Sequence, residues 1–310
     1  MPPLSEFELI YRYFSSLGRG DGVELSVGDD CAILSLQAGE RLATSVDTLV
    51  EGVHFPVDTF PEDIGFRCVS VAASDLAAMG ARPLGMTVAL TLLDADELWL
   101  HAFSQGLGAA VAHYGLPLVG GDTTRGPLTI TVQVLGGLPR DAALLRSGAC
   151  LGDAVYVSGT LGDAAGALAF LRGEWQPEAQ HAEYLLQRFH RPQARLALGR
   201  SLLARASAAI DVSDGLLADA GHIAAASGVR LEIDAETLPL SAALRSHSSR
   251  EQALAWALTG GDDYELCFCM PPGEPLAGVS CIGRVVEGEG IGCTLAVDGA
   301  QGYRHFGESA

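Results

Sequence analysis

Six short acidic motifs constrain this chain more than any other feature: GDD at 28–30, SVDTLVEGVHF at 45–55, SDLAAMG at 74–80, GGDTTRG at 120–126, DVSDG at 211–215 and GGDDYEL at 260–266. Each begins or ends a run that reads as strand or helix, so the carboxylates fall at element ends. Small neighbours there let backbone approach a ligand. Hard divalent cations prefer oxygen ligands, and six such clusters point to a shared cation cage rather than a solvated face. The chain has no lysine, and all 19 basic residues are arginine. If it handles phosphates, then metal ions, backbone N–H groups and arginines must do the work.

Length and charge narrow the class. A chain of 310 residues predicts two domains, each with its own core. With 48% hydrophobic and 18% charged residues it reads as globular. A net charge of −19 argues against nucleic acid or an anionic membrane as partner. The seven cysteines are an odd number with no CxxC spacing, which reads as buried, reduced thiols in a cytoplasmic protein. The N-terminal MPPLSEFELI lacks the basic-then-apolar pattern of a secretory leader, and no apolar run is long enough to span a bilayer.

The patterning predicts a helix over 5–17, opened by a Ser5/Glu8 capping box, and a strand over 42–47. A helix over 61–79 has Pro61 at its first turn and Gly80 past its end. A strand over 84–93, a helix over 95–114 and a strand over 128–135 follow. A polar segment at 140–152 marks the domain boundary, giving domains 1–147 and 148–310. The second half reads as strands at 154–157, 208–212 and 229–233, with helices at 161–171, 183–189, 192–206 and 215–226. Further strands are expected near 264–269, 279–282 and 293–297. Two α/β or α+β domains result.

Taken singly, each motif has a bland reading. Asp29 and Asp30 fit a capped turn, Asp214 fits a helix N-cap, and GGDTTRG fits a glycine-rich turn after the strand LPLV. Asp47 ends an apolar strand with Ser45 on its alternation side, and His54 alone fits a packed histidine. Asp75 resists that treatment: it sits in an apolar helix with no cation on the preceding turn, and Arg82 is the nearest one beyond it. Burying an unpaired carboxylate is costly, so a metal partner is expected. The absence of a GxxxxGK[ST] loop, and of any lysine, excludes P-loop and protein-kinase chemistry. Carboxylates that hold Mg²⁺, with amides and arginine for phosphates, match multi-metal phosphoryl transfer.

In order and spacing the six motifs resemble the thiamine-monophosphate kinases, within the aminoimidazole ribonucleotide synthetase-like superfamily. The resemblance runs from SEFELI at 5–10 to GYRHF at 302–306. It implies an N-terminal α/β domain that binds metal and ATP and forms an intersubunit β-barrel in a homodimer. It also implies a C-terminal α/β domain that completes the nucleotide and substrate site. The implied Mg²⁺ ligands are Asp30, Ser45, Val46 by its carbonyl, Asp47, Asp75, Asp122, Asp211 and Asp214. The implied ATP contacts are Gly121, Asp122, Arg146 and Ser213, and the implied thiamine monophosphate contacts are His54, Asp262 and Tyr303. Asp47, Asp122 and Arg146 would carry catalysis. The family usually has Glu where this chain has Asp262, which leaves that contact shorter. The implied reaction is direct, in-line transfer from ATP to thiamine monophosphate, with several Mg²⁺ ions. Alternatives are ring closure of the aminoimidazole ribonucleotide synthetase type and a non-catalytic divalent-cation-binding protein. No D-x-D-x-D-G loop supports the latter.

Overall fold

The computed structural model describes residues 6–247, 249–273, 276–297 and 302. The chain divides into two compact units: one runs to Ala143, apart from Ala77–Met79, and the other begins at Leu144.

The first unit opens with α1 (Glu6–Tyr13), which stops short of the expected end and gives way to a 3-10 turn at Ser15–Leu17. Ser5 of the expected capping box lies outside the described residues. A small antiparallel pair, β1 (Val23–Leu25) and β2 (Ile33–Leu34), follows. The main sheet holds β3 (Glu40–Val50), β4 (Arg82–Leu92), β5 (Leu118–Arg125) and β6 (Thr129–Pro139) in the order β3-β6-β4-β5. Only the β4–β5 pair is parallel.

One face of this sheet is apolar, with Leu49, Val88, Leu90, Ile130, Val132 and Val134 buried. It is covered by α2 (Pro61–Met79), whose Leu76 reaches Gly136. Glu62 and Asp63 in the first turn of α2 suit the positive end of the helix dipole. The next helix, α3 (Glu97–Tyr114), is capped by Asp96, which accepts from the Leu98 N–H at 2.8 Å, and is stopped by left-handed Gly115. α2 and α3 meet backbone to backbone. A Cβ on Gly65 would lie 2.3 Å from the Phe103 carbonyl oxygen, and one on Gly106 would lie 1.8 Å from that of Glu62. On the other face of the sheet Thr44, Val46, Thr48, Ala89, Asp122 and Gln133 are exposed, Val46 by 60%.

The second unit is a six-stranded sheet ordered β12-β9-β11-β7-β10-β8, antiparallel except between β12 and β9. Its strands are β7 (Ala154–Ser158), β8 (Ala208–Val212), β9 (Arg230–Ile233), β10 (Glu265–Met270), β11 (Val279–Val286) and β12 (Gly290–Cys293). The last lies a few residues before the expected strand at 293–297. The helices are α4 (Asp163–Leu171), α5 (Ala179–His190), α6 (Leu196–Leu202), α7 (Leu216–Ser227), α8 (Ala242–Arg245) and α9 (Arg250–Thr259). Val155, Val157, Ile210 and Val212 pack with Leu216, Ile223 and Ala257 in the core, which is the usual reward for period-two strands under amphipathic helices. All seven cysteines are free. Cys68, Cys267 and Cys269 are buried, whereas Cys31, Cys150 and Cys281 are exposed, so general burial of the thiols does not hold. Burial pushes the Cys68 and Cys269 thiols up to about 12, which leaves them inert.

Candidate functional site

In the first unit the structure brings Ser45 to Asp75, with Asp47 on the same strand as Ser45. Ser45 and Asp47 sit two apart on β3, the edge strand, and share the face that α2 covers. The Ser45 hydroxyl donates to the Asp75 carboxylate on α2. Arg82, the one cation in prospect for Asp75, is committed elsewhere: its Nη2 and Nε reach the Glu40 carboxylate at 2.7 and 3.0 Å. Half-buried Asp75 thus has a hydroxyl beside it and keeps its demand for positive charge. The donor set here is hydroxyl and carboxylate oxygen, which suits Mg²⁺.

Asp122 is placed differently. The motif GGDTTRG is not a turn: it forms most of β5. Register puts Gly121 in the row Asp47–Val132–Val88, and Asp122 in the row Thr48–Thr131–Ala89 on the open face. Gly121 is required by close approach, since a Cβ there would lie 2.0 Å from the Val88 carbonyl oxygen. Val46 is on β3 with its side chain in solvent. Asp30 is exposed in a turn where its N–H donates to Asp29 Oδ1 at 2.8 Å. Within either unit, no three His, Cys, Asp or Glu side chains among the described residues stand close enough to hold a metal on their own. The common cage expected from sequence is therefore not formed by three such side chains alone among the described residues.

His54 follows β3 in a tight turn. Its Nδ1 accepts from the Val50 N–H at 3.0 Å, so the neutral ring carries its proton on Nε2. The turn is fixed by buried Phe55 and by Arg67, fully buried in α2, which donates to the His54 carbonyl at 3.3 Å. Val53, Val57 and Phe60 stay exposed around it.

In the second unit, Asp211, Ser213 and Asp214 lie on β8 and the loop after it. Asp214 is not the N-cap of α7; Gly215 occupies that position. Asp219, which the sequence reading missed, reaches back from the first turn of α7 to brace the loop before it. One oxygen of this buried side chain accepts from the backbone N–H groups of Ser213, Asp214 and Gly215 at 3.0, 3.0 and 3.1 Å. Burial first, then the charge of Asp211, raises its pKa to about 7. Its spacing from Gly215 within DGLLAD was the available signal. Arg146 is exposed on a loop fastened to α7. Ser227 Oγ donates to the Arg146 carbonyl at 3.2 Å and accepts from the N–H groups of Gly148 and Ala149, each at 3.1 Å.

The GGDDYEL segment is laced to the end of β8 and the loop after it. Asp262 N–H donates to the Ser213 carbonyl at 2.9 Å, and Tyr264 N–H to that of Val212 at 2.8 Å. Beneath it lies a buried ionic network that sequence alone did not reveal. Glu265 accepts from Arg188 at 2.9 Å and from Arg195 at 2.6 Å. Asp263 Oδ2 accepts from the Gly162 N–H at 2.6 Å. Burial, and next the charge of Asp163, push the Asp263 pKa well up. Tyr303 lies outside the described residues; Gly302 before it packs against Asp214 and Ala218.

Comparison with known proteins gives a consistent picture. Residues 28–138 match the AIR synthase related protein N-terminal domain, and residues 151–297 match the AIR synthase related protein C-terminal domain. The chain is 46% identical to the thiamine-monophosphate kinase of Salmonella typhimurium, over 97% of this chain and 98% of that one. The crystal structure of thiamine-monophosphate kinase from Stenotrophomonas maltophilia K279a superimposes with a TM-score of 0.87 at 46% identity, covering 96% of this chain and 97% of that one. AaThiL complexed with AMPPCP and TMP matches with a TM-score of 0.80 at 36% identity, over 91% and 92% of the two chains. Among the described residues, no helix is long and apolar enough to cross a membrane.

Proposed function

The chain belongs to the thiamine-monophosphate kinases, among the AIR synthase related proteins, and from that membership we infer its reaction: ATP-dependent phosphorylation of thiamine monophosphate to thiamine diphosphate. The observation that carries this is likeness over nearly the full chain to a protein complexed with AMPPCP and TMP.

The nucleophile is a phosphate oxygen of thiamine monophosphate. Its second pKa of about 6 leaves it largely ionised at neutral pH, so the site needs no general base. The obstacle is bringing two polyanions together, and catalysis is positioning plus charge neutralisation. Asp30, Ser45, the Val46 carbonyl, Asp47, Asp75, Asp122, Asp211 and Asp214 would hold Mg²⁺, which would supply charge neutralisation for the phosphates. The Ser45–Asp75 contact and the commitment of Arg82 to Glu40 support this set. Gly121, Asp122, Arg146 and Ser213 take the nucleotide. Because the Ser213 N–H is held by Asp219, its hydroxyl is the group that turns to ATP. Arg146 stabilises charge on the transferring phosphoryl group, with Asp47 and Asp122 as the other catalytic residues. His54 offers an Nε2–H to thiamine monophosphate, with Val53, Val57 and Phe60 as apolar neighbours for its rings. Asp262 and Tyr303 complete the substrate contacts.

The domains divide as 1–147, for metal, ATP and dimerisation, and 148–310, which completes the nucleotide and substrate site. The open face and long edge strand β3 of the first unit support a homodimer closed into a barrel. Free thiols and water-borne substrates fit the cytoplasm. The test is to supply ATP, Mg²⁺ and thiamine monophosphate and separate the products. Thiamine diphosphate and ADP in equal amounts are expected, whereas ADP without thiamine diphosphate overturns the assignment.

A further inference from the structure

Among the described residues, only Asp262 (φ 68°) and Tyr264 (φ 51°) combine a side chain with left-handed backbone. Aspartate tolerates that region; a bulky tyrosine in it is strained, and such strain persists only where the surroundings over-determine the conformation. Here they do. The two N–H groups are fixed to the Ser213 and Val212 carbonyls. Between them Asp263 turns inward, 2% exposed, onto the Gly162 N–H. Immediately after, fully buried Glu265 is clamped by Arg188 and Arg195. This bracing sets a contact: the hydroxyl of Tyr264, a residue only 7% exposed, donates to Asp262 Oδ1 at 2.8 Å.

We propose that Tyr264 is a positioning residue for thiamine monophosphate, its hydroxyl holding the Asp262 carboxylate in the orientation that receives the substrate. The proposal rests on the assignment of Asp262 to the substrate site. A short carboxylate on a two-bond stem has few ways to point, and a donor at one oxygen selects among them before substrate arrives. That lowers the ordering cost of binding. It also gives a physical reason for a strained tyrosine: extended backbone at 264 would aim the ring elsewhere and release the contact.

The test is a double-mutant cycle. Tyr264→Phe removes one oxygen and leaves the buried ring in place. It is expected to raise KM for thiamine monophosphate roughly five- to tenfold, the weight of one hydrogen bond, with KM for ATP moving less than twofold. Asp262→Ala is expected to raise the same KM at least as much, and Tyr264→Phe added to it should do nothing more. If Tyr264→Phe moves both KM values together, or costs the same in the Asp262→Ala background, the positioning role is overturned. If Asp262→Ala leaves KM for thiamine monophosphate unmoved while thiamine diphosphate still forms, the substrate assignment of Asp262 fails and the proposal falls with it.

Discussion

The backbone N–H of Asp262 donates to the carbonyl of Ser213 at 2.9 Å, so the segment assigned to thiamine monophosphate is tied directly to the loop assigned to the nucleotide. A shift in either displaces the other. Phosphoryl transfer between two bound anions requires that kind of mutual registration.

Asp219 braces the loop assigned to the nucleotide. Asp219→Ala leaves three backbone donors without their acceptor and should destabilise the protein by about 2–3 kcal/mol. It should also raise the Mg²⁺ concentration needed for half-maximal activity. Asp219→Asn, which retains an acceptor oxygen, should do less of both. Urea unfolding and Mg²⁺ titration of the two variants check this.

His54 carries its ring proton on Nε2 because Nδ1 accepts from the Val50 N–H. His54→Ala should raise KM for thiamine monophosphate about tenfold, the value of a hydrogen bond to a charged group, and leave KM for ATP within twofold. Steady-state kinetics with each substrate varied separately decide it.

Asp263 holds its proton to higher pH in the folded protein than its ordinary value of 3.8, because of burial and then the neighbouring Asp163. The folded state therefore binds more protons than the unfolded one in the window above 3.8. Stability is lost as pH rises toward the folded pKa. Asp263→Asn mimics the protonated form. Its Tm relative to the parent should improve as pH goes from 5 to 8; a pH-independent difference would mean that Asp263 is ionised throughout.

Gln133 stands in the middle of the open face of the first sheet, between Val46 and Thr87 in register. If that face closes a homodimer, Gln133→Arg should shift the protein to monomer in sedimentation velocity without altering its far-UV circular dichroism. A parent protein that already sediments as a monomer would remove the dimer.

Much of the fold was legible because local signals agreed with packing. Pro61 and Gly80 bracket α2 as the sequence predicts, and Asp96 and Gly115 cap α3. GGDTTRG read as a turn because glycine and threonine dominate it. It became a strand because β4 approaches so closely at Val88 that only glycine fits at 121. That is a tertiary demand with no local trace. Asp214 looked like a cap because a carboxylate before a helix usually is one, yet Asp219 reaches back from inside α7. Arg188 and Arg195 were opaque for a similar reason. Arg188 lies near the end of α5 and Arg195 just before α6, on separate elements, and only the fold shows Glu265 beneath both. The candidate site was legible as a set of motifs, whereas the residues that brace it were not.

The most direct test follows the phosphorus. The protein in excess over γ-³²P-labelled ATP, with Mg²⁺ and thiamine monophosphate, is quenched within one turnover, alongside Asp47→Asn. In-line transfer through carboxylate-held Mg²⁺ requires the label to pass into thiamine diphosphate with none on the protein, and at least a hundredfold more slowly in Asp47→Asn, an electrostatic term of the usual size. Label retained on the protein, released as inorganic phosphate, or transferred at the parent rate by Asp47→Asn would contradict it.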